Sequence, residues 1–157
     1  MTILRSIYIP YTFPSLFNLS RGFRTFHVPG TDTIIYLILG MPVDWSSLLG
    51  LLLVSQSVVF EELEYYSEDT GLPIEPQRGG GYAQSFEYTF FDGVNISVTN
   101  ENAKLITLGN MRDLLHGLRV YLADGYRSYA CAFKFSAGRE MIGKGIIESE
   151  ADNKAGH

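Results

Sequence analysis

Two stretches of alternating residues meet at Asp92-Gly93, and they constrain the fold of this chain more than any other feature. Phe86, Tyr88 and Phe90 alternate with Glu87 and Thr89 before the turn, and Val94, Ile96 and Val98 alternate with Asn95, Ser97 and Thr99 after it. Side chains on a strand switch face at every residue, so each stretch is a strand with one apolar face. The turn decides whether the two faces agree. A two-residue turn at Asp92-Gly93 sets Phe90 opposite Asn95 and divides the apolar sets between opposite faces. A three-residue loop of Phe91, Asp92 and Gly93, with Gly93 left-handed, aligns Phe90 with Val94 and unites them. The three-residue loop is therefore expected, and the apolar face it creates needs a second layer packed against it.

That layer is written in a longer period. Pro42 near a helix start and Asp44 in the first turn introduce a helix in which Trp45, Leu48, Leu49, Leu52, Val59 and Leu63 recur at steps of three and four. Leu51, Leu53 and Val54 add a second apolar face, so this helix should be covered by the sheet and also by an N-terminal arm or a second subunit. Thr107 can cap a second helix with a stripe of Leu108, Met111, Leu114, Leu115, Leu118 and Leu122, opposite Gly109, Arg112, His116 and Arg119, and ended by Gly125.

Four further strands complete the pattern. Residues 23–28 alternate, Pro29-Gly30 punctuates, and 33–39 is a β-branched run that Gly40 should stop. Tyr129, Cys131, Phe133 and Phe135 alternate with small or polar residues, and Ala137-Gly138 turns the chain into 141–147. The order ββαββαββ predicts an α+β fold: a mostly antiparallel sheet with two helices on one face, ferredoxin-like at its core.

A length of 157 residues suits one domain, expected over 21–149. Residues 1–20 read as an apolar N-terminal arm or a degenerate signal, because Pro10 and Pro14 interrupt the apolar run and no small-residue cleavage pattern precedes Arg21. Residues 67–83, with Pro73, Pro76 and Gly79-Gly80-Gly81, form a lid or linker expected to be mobile. Residues 150–157 form a polar tail expected to be disordered. No stretch is uninterrupted enough to predict a transmembrane segment.

Charge narrows the partners. The net charge is −5 and the basic residues are spread thinly, which argues against nucleic acid. Between Arg24 and Arg78 there is no lysine or arginine, while Asp32, Asp44, Glu61, Glu62, Glu64, Glu68, Asp69 and Glu75 all fall there. Glu61, Glu64 and Glu68 share a helical face, but no histidine accompanies them and no metal site is predicted. The histidines are His27, His116 and His157, and the single cysteine, Cys131, lies mid-strand among aromatic residues as a structural thiol does. No catalytic residues and no cofactor are expected. Gly143-Lys144-Gly145 lacks the setting of a phosphate loop and reads as a strand whose bare backbone is covered by an aromatic ring such as Tyr129.

At Phe26-His27-Val28-Pro29-Gly30-Thr31-Asp32, again at Leu108-Gly109-Asn110-Met111 and Leu115-His116-Gly117-Leu118-Arg119, and at Tyr121-Leu122, the chain resembles a loose group of short uncharacterised proteins from filamentous fungi. The resemblance spans about residues 23–148 and also covers Gly143 and Gly145 in the last strand pair. It implies a strand ending in Pro-Gly-Thr, a long helix, a hairpin, a second helix and a strand pair. It suggests secretion and carries no activity.

Two functional readings follow. In the first, the protein is a non-catalytic interaction module or homo-oligomer whose first helix and acidic middle face a partner. In the second, a pocket between the sheet and the first helix binds a small lipophilic molecule, with Tyr88, Tyr129, Glu87 and Trp45 as candidate contacts; a small isomerase or cyclase belongs to this class. A cavity of a few hundred cubic ångströms favours the second, and a filled core with an exposed apolar patch favours the first.

Overall fold

A computed structural model describes residues 23–74 and 84–150. Its strands are β1 (Phe23–His27), β2 (Thr33–Pro42), β3 (Ser85–Thr89), β4 (Val94–Asn100), β5 (Tyr129–Ala137) and β6 (Glu140–Ser149), with helices α1 (Trp45–Tyr65) and α2 (Leu108–Leu118). The β3–β4 loop takes the three-residue form. The Phe90 N–H donates to the Val94 carbonyl at 2.8 Å, Gly93 sits at φ +94°, and Tyr88 pairs with Ile96. Parity between the strands therefore places both apolar sets on one face.

The described strands form a six-stranded antiparallel sheet in the order β1-β2-β5-β6-β4-β3. This α+β arrangement departs from the expected ferredoxin-like order, in which the strand preceding the first helix would lie beside β4. Short turns account for the difference. The β1–β2 turn holds β1 on one flank of β2, β5 takes the other, and Gly138 at φ +62° folds β6 directly back onto β5. β4 is left to pair with β6.

By register, Ile35, Leu37 and Leu39 of β2 lie in line with Phe135, Phe133 and Cys131 of β5, then with Gly143, Gly145 and Ile147 of β6. The β2 and β5 side chains and Ile147 join Ile96 and Val98 of β4, Leu48, Leu52, Val59 and Leu63 of α1, and Met111, Leu114, Leu115 and Leu118 of α2 in one apolar cluster. The bare backbone of β6 is indeed covered, but by Phe135 over Gly143 and Phe133 over Gly145 rather than by Tyr129. A Cβ on either glycine would come within 2.9 and 2.6 Å of those rings. Cross-strand neighbours on one face make this contact, and Tyr129 lies too far along β5 to make it.

Helix ends show what the local pattern missed. Asp44 is the N-cap of α1, one step outside the predicted first turn, and its carboxylate accepts from the Ser47 N–H at 3.1 Å. β2 runs past Gly40 through an irregularity between Leu39 and Pro42. Thr107 caps α2 through a reciprocal pair: Thr107 Oγ1 accepts from the Asn110 N–H at 3.1 Å, and Asn110 Oδ1 accepts from the Thr107 N–H at 3.0 Å. Gly109, expected on the polar face, is buried against Thr70, whose carbonyl oxygen lies 3.0 Å from where a Cβ would sit.

α2 continues into a π-helical turn, Arg119–Asp124, before Gly125. The Arg127 guanidinium donates to the Tyr121 carbonyl at 3.1 Å, and the Trp45 indole N–H donates to the Ala123 carbonyl at 2.7 Å. Both bonds fasten the widened turn to other segments, the Trp45 indole to the start of α1 and Arg127 to the chain that follows. Among the described residues, α1 is the one helix long and apolar enough to cross a membrane, and 44% of that stretch is buried inside the domain. The expected N-terminal arm or signal (1–20), residues 75–83 of the predicted mobile loop and the tail from 151 lie outside the described residues.

Candidate pocket between the first helix and the sheet edge

The start of α1 lies at the β3–β4 loop, where Ser47 bonds Asp92 and Gly50 lies against the Phe90 ring, and its later turns share a cavity with the start of β3. A cavity of about 390 Å³ occurs there, lined by Val58, Val59 and Glu62 of α1, by Tyr66, by Leu72, Pro73 and Ile74 of the following segment, by Ser85 and Phe86 of β3, and by Leu108 of α2. Val58, Glu62 and Tyr66 follow at four-residue steps, which stacks them on one helical face. Val59, Ile74 and Leu108 are buried at the base, whereas Glu62, Tyr66 and Pro73 are exposed at the rim.

The walls are held by backbone pairing. The Ile74 N–H donates to the Ile106 carbonyl at 2.9 Å, and the Leu108 N–H to the Leu72 carbonyl at 2.8 Å. Gln84, only 2% exposed, locks this seam: its Nε2 donates to the Ile74 carbonyl at 2.7 Å and its Oε1 accepts from the Ile106 N–H at 2.6 Å. Its own N–H donates to Asn100 Oδ1 at 2.9 Å. Gln84 therefore fastens both ends of the 75–83 span to α2's approach. The α1 terminus is fixed by Tyr66 donating its N–H to the Glu62 carbonyl at 3.0 Å and Glu68 to the Leu63 carbonyl at 2.7 Å, with Ser67 and Glu68 both left-handed at φ 56° and 62°.

The sequence candidates fall elsewhere. Tyr88 and Tyr129 are half-buried and pack against the core cluster. Glu87 alternates with Tyr88 and is exposed on the other side of β3. Trp45 is 38% exposed, stacks on Tyr126 with centroids 5.7 Å apart and ties α1 to the π-helical turn. None of the four is among the described residues lining the cavity, and the structure does not bring them together. Glu62, Tyr66, Ser85 and Gln84 were missed, although the spacing of Val58, Glu62 and Tyr66 was a readable signal.

The remaining chemistry is sparse. Cys131 is fully buried, and burial pushes its thiol up to about 12, above the range in which thiolate forms near neutrality. His27 is exposed at the end of β1 and His116 is half-buried on α2. Glu61, Glu64 and Glu68 are exposed, and among the described residues no three His, Cys, Asp or Glu groups are placed to hold a metal ion. A second, polar concavity of about 430 Å³ is lined by residues that include Glu101, Lys134 and Lys144, with Glu101 Oε1 3.2 Å from Lys134 Nζ and 3.9 Å from Lys144 Nζ.

Fold and cavity together define an α+β domain with a lateral apolar pocket. Comparison with protein-family models, with curated proteins and with solved structures finds no match to this chain.

Proposed function

We propose that the protein is a non-catalytic binding domain that takes a small apolar molecule into the cavity between α1 and β3. The observation that carries this reading is the cavity itself: about 390 Å³, with apolar side chains at the base and a few polar groups at the rim, which is the size and distribution that small-molecule sites share. A binder is favoured over an isomerase or cyclase because Glu62 is the one carboxylate on the described lining and it stands exposed at the rim, away from the base where a bound apolar group would be held.

The test is saturable binding of a neutral lipophilic fluorophore such as Nile red, in the intact chain and in Val58→Trp. Val58 is half-buried on the lining, so the larger ring enters the cavity without displacing the core. The expected result is binding by the native chain that is lost in Val58→Trp, with the melting temperature preserved. Unchanged binding in the folded variant would sink the reading.

A second reading is supported by a different surface. Leu53 and Phe60 on the outer side of α1 are 43% and 52% exposed, and Phe91 at the β3–β4 tip is 91% exposed. Apolar surface of this kind fits self-association or a protein partner.

A further inference from the structure

We infer that the pocket selects lipophilic amines: molecules with a short apolar body and a cationic head that rests at the rim between Glu62 and the Tyr66 ring. This rests on the binding function proposed above and names the class of ligand. Three independent features of the pocket point the same way.

The first is charge. Glu62 lines the cavity, and the segment around it carries Glu61, Glu64, Glu68 and Asp69, all exposed. None of the described lining residues is basic, and Arg24 and Arg78 are the nearest arginines or lysines in sequence on either side.

The second is the absence of spare anion donors where they would be expected. α2 begins at the cavity with Leu108, and a helix N-terminus ordinarily offers unpaired N–H groups to an anion. Here the Leu108 N–H is given to the Leu72 carbonyl at 2.8 Å, the Gly109 N–H to the Thr70 carbonyl at 3.0 Å and the Asn110 N–H to Thr107 Oγ1 at 3.1 Å. A carboxylate or phosphate head would meet acidic side chains without finding these donors.

The third is aromatic. Tyr66, 43% exposed, and Phe86 both line the cavity and supply it with two aromatic side chains. An ammonium beside a carboxylate and over an aromatic face is held by both.

The experiment compares octylamine, octanol and octanoate, which share one chain length and differ in head charge, by displacement of Nile red from the intact protein at neutral pH. Octylamine is expected to bind tightest and octanoate weakest. Because exposed carboxylates change affinity only a few-fold in each direction, the two ends of the series should differ by about tenfold at low salt and converge at high salt. Glu62→Gln, at an exposed position, should weaken octylamine several-fold more than it changes octanol. Binding of octanol with no preference for the amine, or an amine preference untouched by Glu62→Gln, would overturn the inference while leaving the pocket intact. Displacement by none of the three, or displacement that survives in Val58→Trp, would overturn the pocket itself.

Discussion

Gln84 joins three segments through one side-chain amide: it accepts from the Ile106 N–H, donates to the Ile74 carbonyl and sits 2% exposed. A buried amide replaced by an isosteric apolar group leaves those backbone partners without water or protein to bond. Gln84→Leu should therefore cost about 2 kcal/mol, which lowers the melting temperature by about 4–8 °C for a domain of this size; calorimetric melts of the two proteins check it. An unchanged melting temperature would mean that the seam has other support. Nothing in the residues around Gln84 signals this role, because both of its partners are distant in sequence. Gly143 and Gly145 illustrate the same limit. That bare backbone would be covered by a ring was legible in the alternation. Which rings cover it followed from the register of β5 against β6, and register depends on where Gly138 turns the chain.

Elements were more legible than their ends. The form of the β3–β4 loop could be deduced because it is a question of parity: with Gly93 at hand for the left-handed position, only one loop length keeps the aromatic and β-branched sets on the same face. The π-helical turn after α2 could not, since the side chains that bond to it, Trp45 and Arg127, arrive from another helix and from beyond the turn. Asp44 belongs between these cases. Its type marks a helix start, and the structure moves it to the cap, where hydrogen bonds from the Ser46 hydroxyl and then from the Ser47 backbone and hydroxyl hold its carboxyl below the ordinary value of 3.8. The Ser47 hydroxyl also bonds Asp92, tying the start of α1 to the β3–β4 loop. A carboxyl depressed in the folded state contributes stability that is present above its unfolded value and disappears as pH falls through the folded one. Asp44→Ala should therefore melt lower than the native chain at neutral pH, and the gap should close in acid below 3.8. Melting curves taken across that range decide it, and a gap constant with pH would show that the carboxylate charge is not the source.

At the scale of the whole molecule, α1 serves two surfaces. Its inner side carries the core residues Leu48, Leu51, Leu52, Val59 and Leu63, while Leu53 and Phe60 remain on the outside. The doubly apolar character of this helix was plain in the sequence, but the expected second face divides: Leu51 is buried in the core, Val54 is half-buried and Leu53 is exposed. If that outer side is an interface between copies, light scattering on the full chain should give the mass of a dimer, and Leu53→Glu with Phe60→Glu should return it to the monomer mass with its far-UV circular dichroism unchanged. A native monomer would exclude self-association through this face. The sequence by itself determined which segments are strands and which are helices, because hydrophobic period is a local property and the two periods differ. Only the tertiary structure decided the strand order, the rings over Gly143 and Gly145, and the cavity beside Glu62 and Tyr66. Each of these depends on which distant segments become neighbours, and that is settled by turns and packing acting together across the whole chain.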